Sequence, residues 1–65
     1  MLTDKQQRFV EEYLVDLNAT QAAVRAGYSA KTASVIGAEN LAKPNIQKAI
    51  QARQEELKIK TETQT

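Results

Sequence analysis

Glu12 and Asp16 stand one helical turn apart, a spacing at which two carboxylates can share a divalent cation. A solvated acidic helix face has the same spacing and is its commoner use. Little other site chemistry can be assembled from this 65-residue chain, which has no Cys and no His. The usual thiolate and imidazole ligands for zinc or iron are therefore missing, as are the Ser/His and Cys/His pairs of covalent catalysis. The two glycines, Gly27 and Gly37, are too far apart to form a phosphate-cradling loop. The residues point to binding rather than catalysis, so we expect no enzyme, no cofactor and no metal.

The cations suggest what is bound. In residues 1–17, Lys5 and Arg8 face Asp4, Glu11, Glu12 and Asp16, net −2. Residues 18–54 carry Arg25, Lys31, Lys43, Lys48 and Arg53 against Glu39 alone, net +4. Residues 55–65 carry Lys58 and Lys60 against Glu55, Glu56 and Glu62, net −1. The formal total of +1 hides a basic middle suited to a polyanion, although a solvated basic face would read the same way. Lys31 can donate to guanine O6 or N7, Ser34 can pair with several base edges, and Val35 can touch a thymine methyl. Ser29 and Thr32 fall at the rim of that group. Arg25, Lys43 and Lys48 are candidates for phosphates, as are the N–H groups opening the second and third helices. Lys5 and Arg8 are weaker candidates. No bidentate Arg, Asn or Gln stands among the base-edge candidates, so intrinsic base specificity should be modest.

Four helices are expected to position these side chains, in an all-α domain over residues 1–58. The first spans about 4–17, capped by Thr3 with Gln6 as reciprocal partner, and turns Phe9, Val10, Tyr13, Leu14 and Leu17 inward. Val15 lies off that stripe, as an exposed apolar residue or a contact to another chain. Asn18 caps a short second helix over 19–26 with Ala19, Ala22, Ala23, Val24 and Ala26 buried, and a left-handed Gly27 ends it. Ser29 caps a third helix over 30–42 that buries Ala33, Ile36, Gly37 and Leu41. Gly37 costs about 1 kcal/mol relative to Ala inside a helix, which suggests close approach of another backbone. Pro44 opens a fourth helix over 45–58 with Ile46, Ala49, Ile50, Arg53 and Leu57 along its seam. Residues 59–65 read as a polar, disordered tail.

Residues 19 to 38 meet the demands of a helix-turn-helix. Gly27 supplies the left-handed residue of a three-residue turn. Ala23, one helical turn earlier, is small enough for a close crossing. Tyr28 has the bulk to fill the angle, Ser29 restarts the chain as a helix, and Ala33 with Ile36 turns back to the second helix. Ordinary helical domains and interaction modules also use glycine turns. A transcription regulator with this motif, or an assembly module acting through Ile46, Ile50 and Leu57 without nucleic acid, therefore stays open.

No apolar run approaches the roughly 20 residues of a membrane span, and residues 1–7 lack the blocks of a signal peptide. Asn18-Ala19-Thr20 matches the N-glycosylation pattern but reads as a helix start. We expect a soluble intracellular protein.

The run from Leu2-Thr3-Asp4-Lys5-Gln6-Gln7 through Arg8-Phe9-Val10-Glu11-Glu12-Tyr13-Leu14 resembles the opening of phage terminase small subunits. So do residues Asn18 to Ser29, the following Lys31-Thr32-Ala33, and Asn40-Leu41-Ala42-Lys43-Pro44-Asn45-Ile46. The likeness covers about residues 2–51 and is nearest to headful-packaging Bacillus tailed phages. It implies a non-catalytic viral DNA-packaging protein in the host cell cytoplasm. Such a protein recognises a packaging-initiation site on double-stranded viral DNA, and recruits and regulates the large terminase subunit. It self-associates into a ring through a region that this chain would precede, so the chain reads as the N-terminal DNA-binding domain. Leu17 stands where the resemblance suggests a glycine between the first two helices.

Overall fold

The computed structural model describes residues 2–63 of the backbone and the side chains of residues 2–58. Four helices follow one another: α1 (Asp4–Asp16), α2 (Ala19–Arg25), α3 (Ala33–Ala42) and α4 (Pro44–Thr63). No strand occurs among the described residues. The polar tail expected over 59–65 is not separate from α4, which continues to Thr63; residues 64 and 65 lie outside the described residues.

Local signals set most of the helix ends. The Thr3 hydroxyl accepts from the Gln6 N–H at 3.1 Å, and the Gln6 side chain accepts from the Thr3 N–H at 3.0 Å. These reciprocal bonds satisfy donors that the first helical turn would otherwise leave open. Asn18 caps α2 through its side-chain oxygen, which accepts from the Gln21 N–H at 3.1 Å. At the end of α2, the Tyr28 N–H donates to the Ala23 carbonyl at 3.0 Å and the Gly27 N–H to that of Val24 at 3.1 Å. This is a Schellman closure, and it needs the left-handed backbone that Gly27 takes at φ 104°. Leu17 takes a left-handed backbone too, at φ 57°, as the C-cap of α1. It stands where a residue without Cβ would avoid a steric cost.

The core gathers Phe9 and Val10 of α1, Ala22 and Ala23 of α2, Ala33 of α3, and Ile46 and Ile50 of α4. Tyr13, Leu14, Ala19, Ala26, Tyr28, Ile36, Leu41 and Ala49 pack around it, half-buried. Phe9 and Tyr13 stack with ring centroids 6.0 Å apart. The small residues of α2 allow close packing, and α2 meets α3 more extensively than any other pair of helices meets. At the tightest point a Cβ on Gly37 would lie 2.8 Å from the Ala19 carbonyl oxygen. The expected approach of another backbone at Gly37 is thus the N-terminal end of α2.

The structure corrects several expectations. Residues 30–32 are not helical, and Ser29 does not cap α3. The Thr32 N–H and hydroxyl instead both donate to the Ser29 carbonyl, at 3.1 and 3.4 Å. In a helix starting at Ala30 that carbonyl would serve the Ala33 N–H. The connection between α2 and α3 therefore runs from Ala26 to Thr32, longer than the three-residue turn expected. Val24 and Leu17 are exposed rather than buried, because α2 covers its neighbours through Ala22 and Ala23, and Leu17 has left the helical face at the C-cap. Arg53 and Leu57 do not join the core: both are exposed on α4, beside the C-terminal half of α1. The radius of gyration of 12.4 Å exceeds the about 11 Å of a compact chain this long.

Candidate nucleic-acid interface

α3 sorts its residues by helical angle. Ala33, Gly37 and Asn40 are buried and Ile36 and Leu41 half-buried, which gives the helix an inward arc. Ser34, Val35, Ala38, Glu39 and Ala42 are exposed and form the outward arc. At about 100° per residue, Val35, Ala38 and Ala42 lie along its middle, with Ser34 and Glu39 on the flanks. Val35 is 60% exposed.

The charged candidates lie beyond the two ends of that arc. Ser29, Lys31 and Thr32 belong to the turn ahead of α3, and Lys43 is its C-cap; all four are exposed. About 15 Å of helix separates these ends, comparable with the roughly 12 Å width of the B-DNA major groove. The Lys43 Nζ contacts the Asn40 side-chain oxygen at 3.4 Å. Lys48 is exposed on α4. The start of α3 carries no side-chain cap, whereas Asn18 caps α2. Of the two helix starts read as phosphate sites, only that of α3 keeps its first-turn N–H groups clear of a capping side chain.

Arg25 is engaged differently. Its guanidinium lies 2.6 Å from an Asp16 carboxylate oxygen and 3.5 Å from one of Glu12. Arg8 reaches the other Glu12 oxygen at 3.2 Å. The carboxylate pair that could have held a cation is thus bridged by an arginine that ties the end of α2 to α1. Among the described residues no group of three or more His, Cys, Asp or Glu side chains could hold a metal ion. Lys5 lies over the Tyr28 ring, 5.3 Å from its centroid, in cation–π geometry. α1 therefore braces both sides of the Gly27 turn.

Ser34 and Val35 share one helical arc, and Ser29, Lys31 and Thr32 share the turn that leads into it. Arg25 stands apart from them in its ion pairs. Glu39, one helical turn beyond Val35 on the same arc, was not foreseen; the i, i+4 spacing from Val35 was the available signal. The exposed apolar side chains Val15, Leu17 and Leu57 lie beside Leu14 at the junction of α1 and α4. Val15 is 71% exposed, which fits either of the two roles its position allowed. No described helix is long and apolar enough to cross a membrane.

Comparison with known proteins adds a family. The family model described as "Terminase small subunit" matches residues 2–65. The chain is 57% identical over 60 residues to the terminase small subunit of Bacillus phage SF6, covering 91% of this chain and 41% of that protein. It is 52% identical over 52 residues to that of Bacillus phage SPP1, covering 78% of this chain and 35% of the relative. With that of Staphylococcus phage 80alpha it shares 37% identity over 57 residues, covering 86% and 39%. The chain spans about two fifths of the length of the curated relatives it matches.

Proposed function

From the premise that this chain belongs to the terminase small subunit family, we propose that it is a non-catalytic module that docks α3 into the major groove of viral DNA. The carrying observation is the exposed arc of α3, flanked by Lys31 and Lys43 at its two ends. Lysines so placed suit phosphates on either wall of a groove, and the uncapped N–H groups at the start of α3 suit another. Ser29, Thr32 and Ser34 supply short hydroxyl donors near the same entry point, and Lys48 adds a phosphate contact from α4. Arg25 serves as a positioning residue that holds α2 against α1, rather than as a phosphate contact.

In this reading the domain recognises a packaging-initiation site, and the large terminase subunit is recruited and regulated by the longer protein, in the host cell cytoplasm. A domain with few cations and no bidentate base reader binds DNA weakly. Several copies on one scaffold would gain affinity through effective concentration. The rival assembly surface on α4 is weakened because Ile46 and Ile50 are used inside the domain core.

Titration of a short duplex across a salt series tests the proposal. Lys31→Ala and Lys43→Ala should each weaken binding to every sequence and lower the salt slope by about one, with the helical signal and melting unchanged. Wild-type affinity in both variants would refute the placement of α3 in the groove.

A further inference from the structure

Resting on that placement of α3, we propose that Glu39 is its base-reading residue and accepts from the amino group of cytosine in the major groove. Glu39 is the one acid among residues 18–54, and the fold sets it on the exposed arc of α3. For phosphate contact alone it carries the wrong charge. Its carboxylate is not engaged within the fold: the ion pairs of the described residues use Glu12, Asp16 and Glu56. Lys43, one helical turn on, would be its i, i+4 partner, but the Lys43 Nζ is at the Asn40 side-chain oxygen, 3.4 Å away. The other residues of the arc, Ser34, Val35, Ala38 and Ala42, are all shorter. Glu39 is therefore the arc's longest side chain, with the small Ala38 and Ala42 beside it.

An ionised carboxylate only accepts hydrogen bonds, so on a base edge it needs an amino group. Both kinds of base pair present one, but in different company. In an A·T pair the adenine amino group lies between two acceptors, adenine N7 and thymine O4. In a G·C pair the cytosine amino group lies at the end of the row, with guanine O6 on one side and the cytosine C5–H on the other. A carboxylate on adenine is repelled from both sides, and on cytosine from one. Cytosine is the better partner, and its N4 is the base atom that Glu and Asp side chains suit. The same charge repels phosphates whatever the sequence. Glu39 therefore lowers affinity for every duplex and raises discrimination among them.

The test selects bound molecules from a library of short random duplexes with the 65-residue chain at low salt, and sequences the bound fraction. Wild type should enrich a C·G pair of fixed orientation at one position by about fivefold, the low end of a specific base contact. Glu39→Ala should lose that preference and bind all duplexes more tightly. Glu39→Gln should move it toward adenine, whose N6 and N7 match a carboxamide. N4-methylcytosine at the enriched position keeps Watson–Crick pairing but replaces the groove-facing N–H. It should weaken wild-type binding by about the same fivefold and leave Glu39→Ala unaffected. Lys31→Ala and Lys43→Ala should bind more weakly and keep the cytosine preference.

A wild-type selection without cytosine enrichment overturns the assignment, as does an enrichment that survives Glu39→Ala or ignores the N4-methyl group. If Lys31→Ala and Lys43→Ala still weaken binding in that case, the DNA interface on α3 stands without Glu39 as its reader. If those lysine variants bind as wild type does, or if no duplex is bound, the interface and the reader both fall.

Discussion

Gly37→Ala is the substitution for which helix propensity and packing predict opposite signs. On an open helix face the change should stabilise by about 1 kcal/mol, because Ala loses less backbone entropy than Gly. Here the new Cβ would stand 2.8 Å from the Ala19 carbonyl oxygen, 3.0 Å from its carbon and 3.2 Å from its Cβ. Two of those atoms are backbone at the first residue of α2, so no rotamer change relieves them. α2 must move away from α3 by about half an ångström, which costs about 1–3 kcal/mol as overpacking does elsewhere. The pair that separates is the most extensively packed in the molecule. We expect a net loss of about 1–2 kcal/mol, read as a fall in Tm of roughly 4–8 °C per kcal/mol for a domain of this size. Circular dichroism melts and urea titrations would measure it. Ala19→Gly in the same chain should rescue only part of the loss, because it removes the 3.2 Å contact and leaves the carbonyl. A Gly37→Ala variant as stable as wild type, or more so, would refute the close approach; full rescue by Ala19→Gly would refute the backbone origin of the clash.

Other substitutions probe other joints. Gly27→Val should destabilise severely, because a β-branched residue resists φ 104°, and an unchanged melt would refute the Schellman closure. Leu17→Gly should stabilise by about 0.5–1 kcal/mol, since relief of left-handed strain at an exposed residue exceeds the entropy that Gly loses on folding; a lower Tm would show that the Leu17 side chain does structural work. Arg25→Ala should cost no more than about 1 kcal/mol, as partly exposed ion pairs do. DNA affinity should fall less in that variant than in Lys31→Ala; the reverse order would return Arg25 to the phosphate contacts.

The legible parts of the fold were those set within a few residues. Thr3 with Gln6, Asn18, Gly27 and Pro44 each act on neighbouring backbone groups, and each stands where the residue types place it. Gly37 was readable as a close approach, though only the packed helices show that Ala19 is what it meets. Ser29 was misleading because Thr32, three residues on, donates both its N–H and its hydroxyl to the Ser29 carbonyl and closes a turn there instead of a helix. The inward seam of α4 was readable as far as Ile50, but how many turns find a partner depends on the lengths of α1 and α3. For the candidate interface, sequence marked Lys31, Ser34, Val35 and Lys43. It could not separate Arg25 from them, since a positive charge does not announce whether a carboxylate of the same chain will meet it. Glu39 was legible only as the one acid of the basic middle, because a solvent-facing glutamate on a helix is ordinary until its neighbours on the arc are known.

α4 has one more consequence. Among the described residues its last buried one is Ile50, yet the helix continues to Thr63, an unbroken rod of about 20 Å beyond that residue. A rod of this kind fixes azimuth as well as distance. Each residue inserted after Ile50 would turn the α3 face by about 100° relative to anything held at the far end, whereas seven inserted residues would return it to within about 20° of its original bearing. The bearing of the α3 arc is therefore clocked by the residue count of α4.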